Sequence, residues 1–174
     1  GAIAMRDQYL LANDNSWSPK QFSSKENVFC HLNKTAPEIH KQVIDTGFRW
    51  SAFIHGSGTG GTIEGIRRYK ENHNLKTKIC LVQPLESPHG IQGIADGKDF
   101  LFSSENADRI FQIETDHAIS RAKELAEKTG LLVGISSGAN ILASERYIQN
   151  TNPAGIVVTM LCDRGERYMS VYGK

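Results

Sequence analysis

The densest chemical signal is the run Gly56-Ser57-Gly58-Thr59-Gly60-Gly61-Thr62. Its glycines let the backbone turn sharply, and their N–H groups can converge on one ligand. Thr59 and Thr62 add hydroxyl donors. The chemistry is that of a cradle for a phosphate group. Three kinds of site use such a cradle. A nucleotide P-loop ends in Gly-Lys-Ser/Thr, and here Gly61 runs straight into Thr62 with no lysine. A dinucleotide site matches Gly56, Gly58 and Gly61 as G-x-G-x-x-G, but an acidic residue should close the next strand. That strand, 78–83, ends in Gln83, and Glu86 arrives only after Pro84. The third kind binds a cofactor phosphate through neutral donors alone. The plain alternative is a tight turn with no ligand.

The elements that must hold this run are legible on either side of it. Trp50-Ser51-Ala52-Phe53-Ile54 reads as a buried strand, and residues 63 to about 72 read as a helix. The helix start adds partial positive charge to the cradle. Arg67, Arg68 and Lys70 read as a solvated helix face. Before the strand, Thr35 is expected to cap a helix with Pro37 in its first turn and Glu38 completing a capping box. That helix should run to about Thr46 and stop at Gly47. Residues 3–12 have helical character and end at Asn13-Asp14-Asn15-Ser16. Residues 18–22 read as loop, and 23–33 as polar and irregular.

Beyond the cradle, residues 79–83 and 109–113 read as strands, and 87–93 as loop. Residues 115–128 form an amphipathic pattern with Ala118, Ile119, Ala122, Leu125 and Ala126 on one face. Thr115 is expected to cap it and Gly130 to end it. Residues 131–135 read as a buried strand that turns through Ser136-Ser137-Gly138 into a helix reaching Ile148. Either serine could cap that helix. Residues 155–162 read as the last strand. Strands alternate with helices throughout, so the fold class is α/β: a mostly parallel sheet with helices on both faces, in three αβα layers. Gly56–Thr62 and Ser136 would then lie at C-terminal strand ends, where open α/β sheets bind ligands.

The chain has 174 residues and a formal net charge of +1. No basic stripe suggests nucleic acid and no apolar run suggests a membrane. Cys30, Cys80 and Cys162 are widely spaced, and neither a disulfide framework nor a metal site is indicated. Cys80 and Cys162 fall in apolar strand patterns and are expected to be small buried side chains. A reducing cytoplasm is the inferred location. His89 is a lone loop histidine, expected at the surface rather than as a base.

Gly58-Thr59-Gly60-Gly61-Thr62 resembles the phosphate loop of the pyridoxal-phosphate-dependent cysteine synthases and cystathionine β-synthases. Four more segments resemble that family in the same order: Thr35-Ala36-Pro37-Glu38-Ile39, Ile91-Gln92-Gly93-Ile94, residues 130–138, and Gly165-Glu166-Arg167-Tyr168. The resemblance covers the second half or so of that family's catalytic core. It implies the larger domain of a fold-type II enzyme over residues 16–174, with a remnant of the smaller domain in residues 1–15. It implies pyridoxal 5'-phosphate as cofactor, held by Gly58, Thr59, Gly60, Gly61 and Thr62, with the Ser136 hydroxyl on the pyridine nitrogen. It implies that Gln21 and Gly93 meet an amino-acid substrate, and that Cys162 and Asp163 stand at the pocket rim. Cys162-Asp163-Arg164 is similar to one sulfhydrylase branch. Ala36 and Ala95 stand where family members commonly carry glycine, and Asp96 stands where they carry a small residue. The last two departures touch closure and substrate choice.

The implied activity is β-replacement on an activated serine, with sulfide or another nucleophile, in cysteine biosynthesis. The family's Schiff-base lysine and its Ser/Thr-Gly-Asn carboxylate loop have no counterpart here, so no catalytic residue is assigned in this chain. The chain begins at Gly1, and Gly1-Ala2-Ile3-Ala4 resembles sequence inside a family helix, so a piece of a longer protein is expected. Its partners would be the missing N-terminal half, or a second chain carrying it, and a second copy in a homodimer. A non-catalytic binding or regulatory module that kept the fold and a dinucleotide-binding domain are the two alternatives.

Overall fold

The computed structural model describes residues 1–95 and 98–173. Four strands form one parallel sheet in the order β3-β2-β1-β4: β1 (Trp50–Gly56), β2 (Lys78–Pro84), β3 (Arg109–Ile113) and β4 (Ile156–Thr159). Alternation along the strands splits the core in two. Ala52, Ile54, Cys80, Val82, Phe111 and Ile113 face helices α5 (Thr115–Thr129) and α6 (Ile135–Thr151). Phe53, Ile79 and Leu81 face α3 (Ala36–Asp45) and α4 (Gly61–Asn72). The three expected layers are therefore present. Trp50 breaks the alternation and packs with Phe53, because the register against β4 shifts between Trp50 and Ala52.

Several elements differ from the sequence reading. Residues 23–33 are not irregular: α2 (Lys25–Cys30) passes through a π-helical turn, His31–Thr35, directly into α3. Thr35 therefore has helical dihedrals and caps nothing; its hydroxyl meets His31 Nδ1 at 3.0 Å. The capping-box pattern is present, but the preceding chain stays helical and no free helix end exists there.

Thr115 is not a cap either. Glu114 holds that position, while Thr115 Oγ1 accepts from Gly90 N–H at 2.9 Å. Residues 131–135 form no strand. Leu131 and Leu132 are exposed, Val133 makes one isolated bridge to Arg164, and α6 already begins at Ile135. An apolar run this short fits several environments, and here it is a connector. The last strand ends at Thr159, so Cys162 lies beyond it and is exposed, while Cys80 is buried as expected.

The remaining helices are α1 (Ala2–Ala12) and a short α7 (Met169–Tyr172). Gly47 and Gly130 end α3 and α5 with positive φ, as anticipated. Arg67 and Arg68 are not merely solvated: both bind the buried Glu64 carboxylate, at 2.7 and 2.6 Å. Burial would raise the Glu64 pKa, but the hydrogen bonds from the two guanidinium groups outweigh it and hold it low. Among the described residues no helix is long and apolar enough to cross a membrane.

Candidate active site

β1 delivers the chain to Gly56, the glycine run turns, and α4 begins at Gly61. Gly60 takes φ +85°, in the left-handed region, and a Cβ there would stand 2.6 Å from Phe102 N. A Cβ on Gly58 would stand 2.5 Å from Gly93 O, so the loop and the 91–95 segment touch backbone to backbone. Ala95 N–H donates to Ser57 O at 2.9 Å and fastens them, and Leu101 N–H to Thr59 O at 3.0 Å ties the loop to the chain that follows. The first turn of α4 leaves the N–H groups of Thr62 and Ile63 without intrahelical acceptors.

These elements enclose a cavity of about 190 Å³ lined by residues 55–63, Gly93, Ile94, Ser136, Asn140, Cys162 and Asp163. It brings together Gly58, Thr59, Gly60, Gly61, Thr62, Ser136 and Gly93, from sequence segments up to about eighty residues apart. Gly93 has φ +94°, and a Cβ on it would lie 3.8 Å from Ser136 Oγ. Ser136 is buried in the first turn of α6 and forms no side-chain cap. Cys162 and Asp163 line the cavity as well. Gln21 is exposed and outside the lining. Its carbonyl accepts from Asn27 Nδ2 at 2.9 Å, and the same amide donates to Thr59 Oγ1 at 3.0 Å. His89 is also outside the lining, with Nδ1 accepting from Ile91 N–H at 3.1 Å. Asp96 lies outside the described residues.

Four residues of the site were not singled out by the sequence reading. Asn27 fixes Thr59, whose hydroxyl also accepts from Gly61 N–H at 3.2 Å. His31 Nε2 lies 3.2 Å from Thr62 Oγ1. Asn27 and His31 are four apart on one helical stretch, the spacing that puts two side chains on one face. Asn140, on α6, accepts from Gly56 N–H at 2.8 Å and donates to Met160 O at 2.9 Å, clamping the ends of β1 and the β4 segment. His55 is 7% exposed inside the strand leading to the loop. Burial first, and then the neighbouring His31, push its imidazole down to about 4, so it is neutral. Burial lowers His31 as well. The signal for all four was a polar side chain inside an apolar or helical pattern, which sequence alone does not connect to a partner.

The donor set fits a phosphate monoester. It consists of backbone N–H groups and hydroxyls at a helix start, with no lysine in the loop. Among the described residues no cluster suits a metal ion.

The family model described as pyridoxal-phosphate dependent enzyme matches residues 2–163. Cysteine synthase B of Campylobacter jejuni is 37% identical over 98% of this chain and 58% of its own length. Cysteine synthase B of Escherichia coli is 33% identical over 88% of this chain and 51% of its own. The crystal structure of O-acetyl serine sulfhydrylase isoform 3 from Entamoeba histolytica superposes with a TM-score of 0.87 at 32% identity, covering 98% of this chain and 53% of that one. The chain thus spans about half the length of the curated relatives it matches. The family these findings show is a pyridoxal-phosphate dependent one, not a dinucleotide-binding one.

Proposed function

The chain belongs to the pyridoxal-phosphate dependent enzyme family, and from that membership we propose that it is the phosphate-binding portion of a cysteine synthase-like enzyme catalysing β-replacement on an activated serine. The observation that carries this reading is the single cavity joining the Gly58–Thr62 loop to Ser136. Pyridoxal phosphate, when bound, supplies an electron sink for chemistry at the α- and β-carbons of an amino acid. The residues of this chain bind and orient it. The loop N–H groups and the start of α4 hold the phosphate. Ser136 meets the ring nitrogen with a neutral hydroxyl, which suits elimination and replacement more than transamination, because a hydroxyl does not keep that nitrogen protonated as a carboxylate would. Gly93 faces the substrate within the cavity, and Gln21 meets it from the solvent side.

In this reading the Schiff-base lysine and the substrate-carboxylate loop lie outside residues 1–174. Helix α1 belongs to a smaller domain whose remainder also lies outside them. Two observations support this: α1 buries none of its residues, and the relatives extend well past the matched region. A homodimer and a cytoplasmic location accompany the reading, the latter supported by the free thiols Cys30, Cys80 and Cys162.

The test is intact-mass analysis of every polypeptide in the purified protein after pyridoxal phosphate and borohydride. A label on a lysine outside this chain's residues, with cysteine formed from an activated serine and sulfide, is expected. A specific label on a lysine of residues 1–174 would overturn the division of labour. No label and no cysteine from the complete, folded protein would overturn the activity.

A further inference from the structure

His55 lines the cavity, yet no role described above uses its side chain. Its surroundings fix its proton. Asn140 Oδ1 accepts from Gly56 N–H at 2.8 Å, which sets the amide orientation and leaves Nδ2 as the donor. Nδ2 gives one hydrogen to Met160 O at 2.9 Å. Its second hydrogen faces His55 Nδ1 at 3.4 Å. An amide nitrogen only donates, so Nδ1 of His55 accepts and the imidazole proton sits on Nε2. The ring is 7% exposed and packs against Phe53 at 5.7 Å between centroids. It is therefore a rigid donor with one assigned tautomer, at the end of β1 where the strand passes into the phosphate loop.

We propose that His55 is a phosphate-binding side chain: its Nε2–H donates to the phosphate monoester held by the Gly58–Thr62 loop. This rests on the cofactor reading above and adds a side chain to a cradle otherwise built from backbone and hydroxyls. A neutral donor suits this place. A lysine here would need a buried charge, whereas a desolvated neutral N–H gains strength on meeting an anion. The Asn140 amide is the second half of the device, since it holds the tautomer while tying β1 to α6.

The test uses ligands without the aldehyde, so that binding does not depend on a lysine. Pyridoxine 5'-phosphate and pyridoxine are titrated into the full protein and its His55→Leu and His55→Gln variants. Loss of one hydrogen bond to an anion should weaken the phosphate ester by about tenfold to a hundredfold in His55→Leu. Pyridoxine binding should not change, and His55→Gln, which keeps an N–H donor, should recover part of the loss. In parallel, ¹⁵N-histidine spectra of the wild-type protein should show the His55 proton on Nε2 and a shift of that signal with the phosphate ester. Equal weakening of both ligands would assign His55 a structural role and overturn the proposal. So would unchanged phosphate-ester affinity in His55→Leu, or a proton on Nδ1. If His55→Leu does not fold, the wild-type spectra decide. Wild-type protein that binds neither ligand would overturn the cofactor reading itself, whereas wild-type binding with an indifferent Leu variant would overturn His55 alone.

Discussion

Around the end of β1, Ala52, Phe53 and Ile54 are buried without residue, and the polar side chains His55, Ser136 and Asn140 are buried with them. At the other extreme α1 buries nothing: Met5 is 72% exposed and Leu11 is 86% exposed. Both regions are regular secondary structure, and both carry apolar residues. They differ in what supplies the partners. The cradle is over-determined, with Thr59 held by Asn27, Thr62 by His31 and Gly56 by Asn140. Helix α1 has its own backbone bonds, and none of its residues is buried. The cradle therefore owes its shape to this chain, whereas α1 should owe its stability to contacts outside it.

The largest expected effect comes from the cradle's backbone. Gly60→Ala forces a side chain into a positive-φ position with Phe102 N at 2.6 Å. A loss of about 4 kcal/mol in unfolding free energy is expected from strain and overpacking together, with saturable pyridoxal-phosphate binding abolished. Urea melts and a cofactor titration check it, and near-wild-type behaviour would break the contrast with α1.

Next is pH. The His55 value in the folded protein, about 4, lies below its unfolded value of 6.5, so the unfolded chain takes up the proton first on acidification. Stability is fully present above pH 6.5 and falls as pH drops toward 4, by at most about 3 kcal/mol from this group. His31, also lowered by burial, acts in the same direction. Glu64 and Asp108, held low in the fold, keep their full contribution down to the ordinary carboxylate range and lose it only as pH falls through and below that range. The window from pH 6.5 to 5 therefore reports the histidines. Denaturant midpoints across it should slope in the wild type and flatten in His55→Leu.

Asn140→Ala should cost about 2 kcal/mol, because it strands Gly56 N–H and Met160 O with lost partners. A double-mutant cycle with His55→Leu should show coupling, since the two side chains touch. The smallest effect belongs to α1. Leu11→Ser should change the stability of residues 1–174 by less than about 0.5 kcal/mol. A large loss would mean that α1 is packed after all, and would remove the contrast.

The glycine run, its flanking strand and its helix were legible because each is a local pattern: apolar run, turn formers, helical period. Ser136 and Gly93 came from resemblance rather than from spacing. The clamps were not legible, since Asn140 finds Gly56 across 84 residues and His31 finds Thr62 across 31. The same limit explains the failed cap at Thr35. A capping box is a local signal, and only the continuation of α2 through the π turn shows that no end needed capping. Residues 131–135 were misread because five residues with an apolar bias hold too few periods to separate strand from connector.

The π turn at His31–Thr35 has a genetic meaning as well as a structural one. A π turn is an α-helix holding one surplus residue. Each α-helical residue advances the screw by about 100°. Deleting one codon within 31–35 would remove that surplus and leave one continuous α-helix, so α2 and α3 would keep nearly the same phase and Asn27 its place beside Thr59. The codon whose loss the loop would feel is that of His31 itself, whose imidazole meets Thr62.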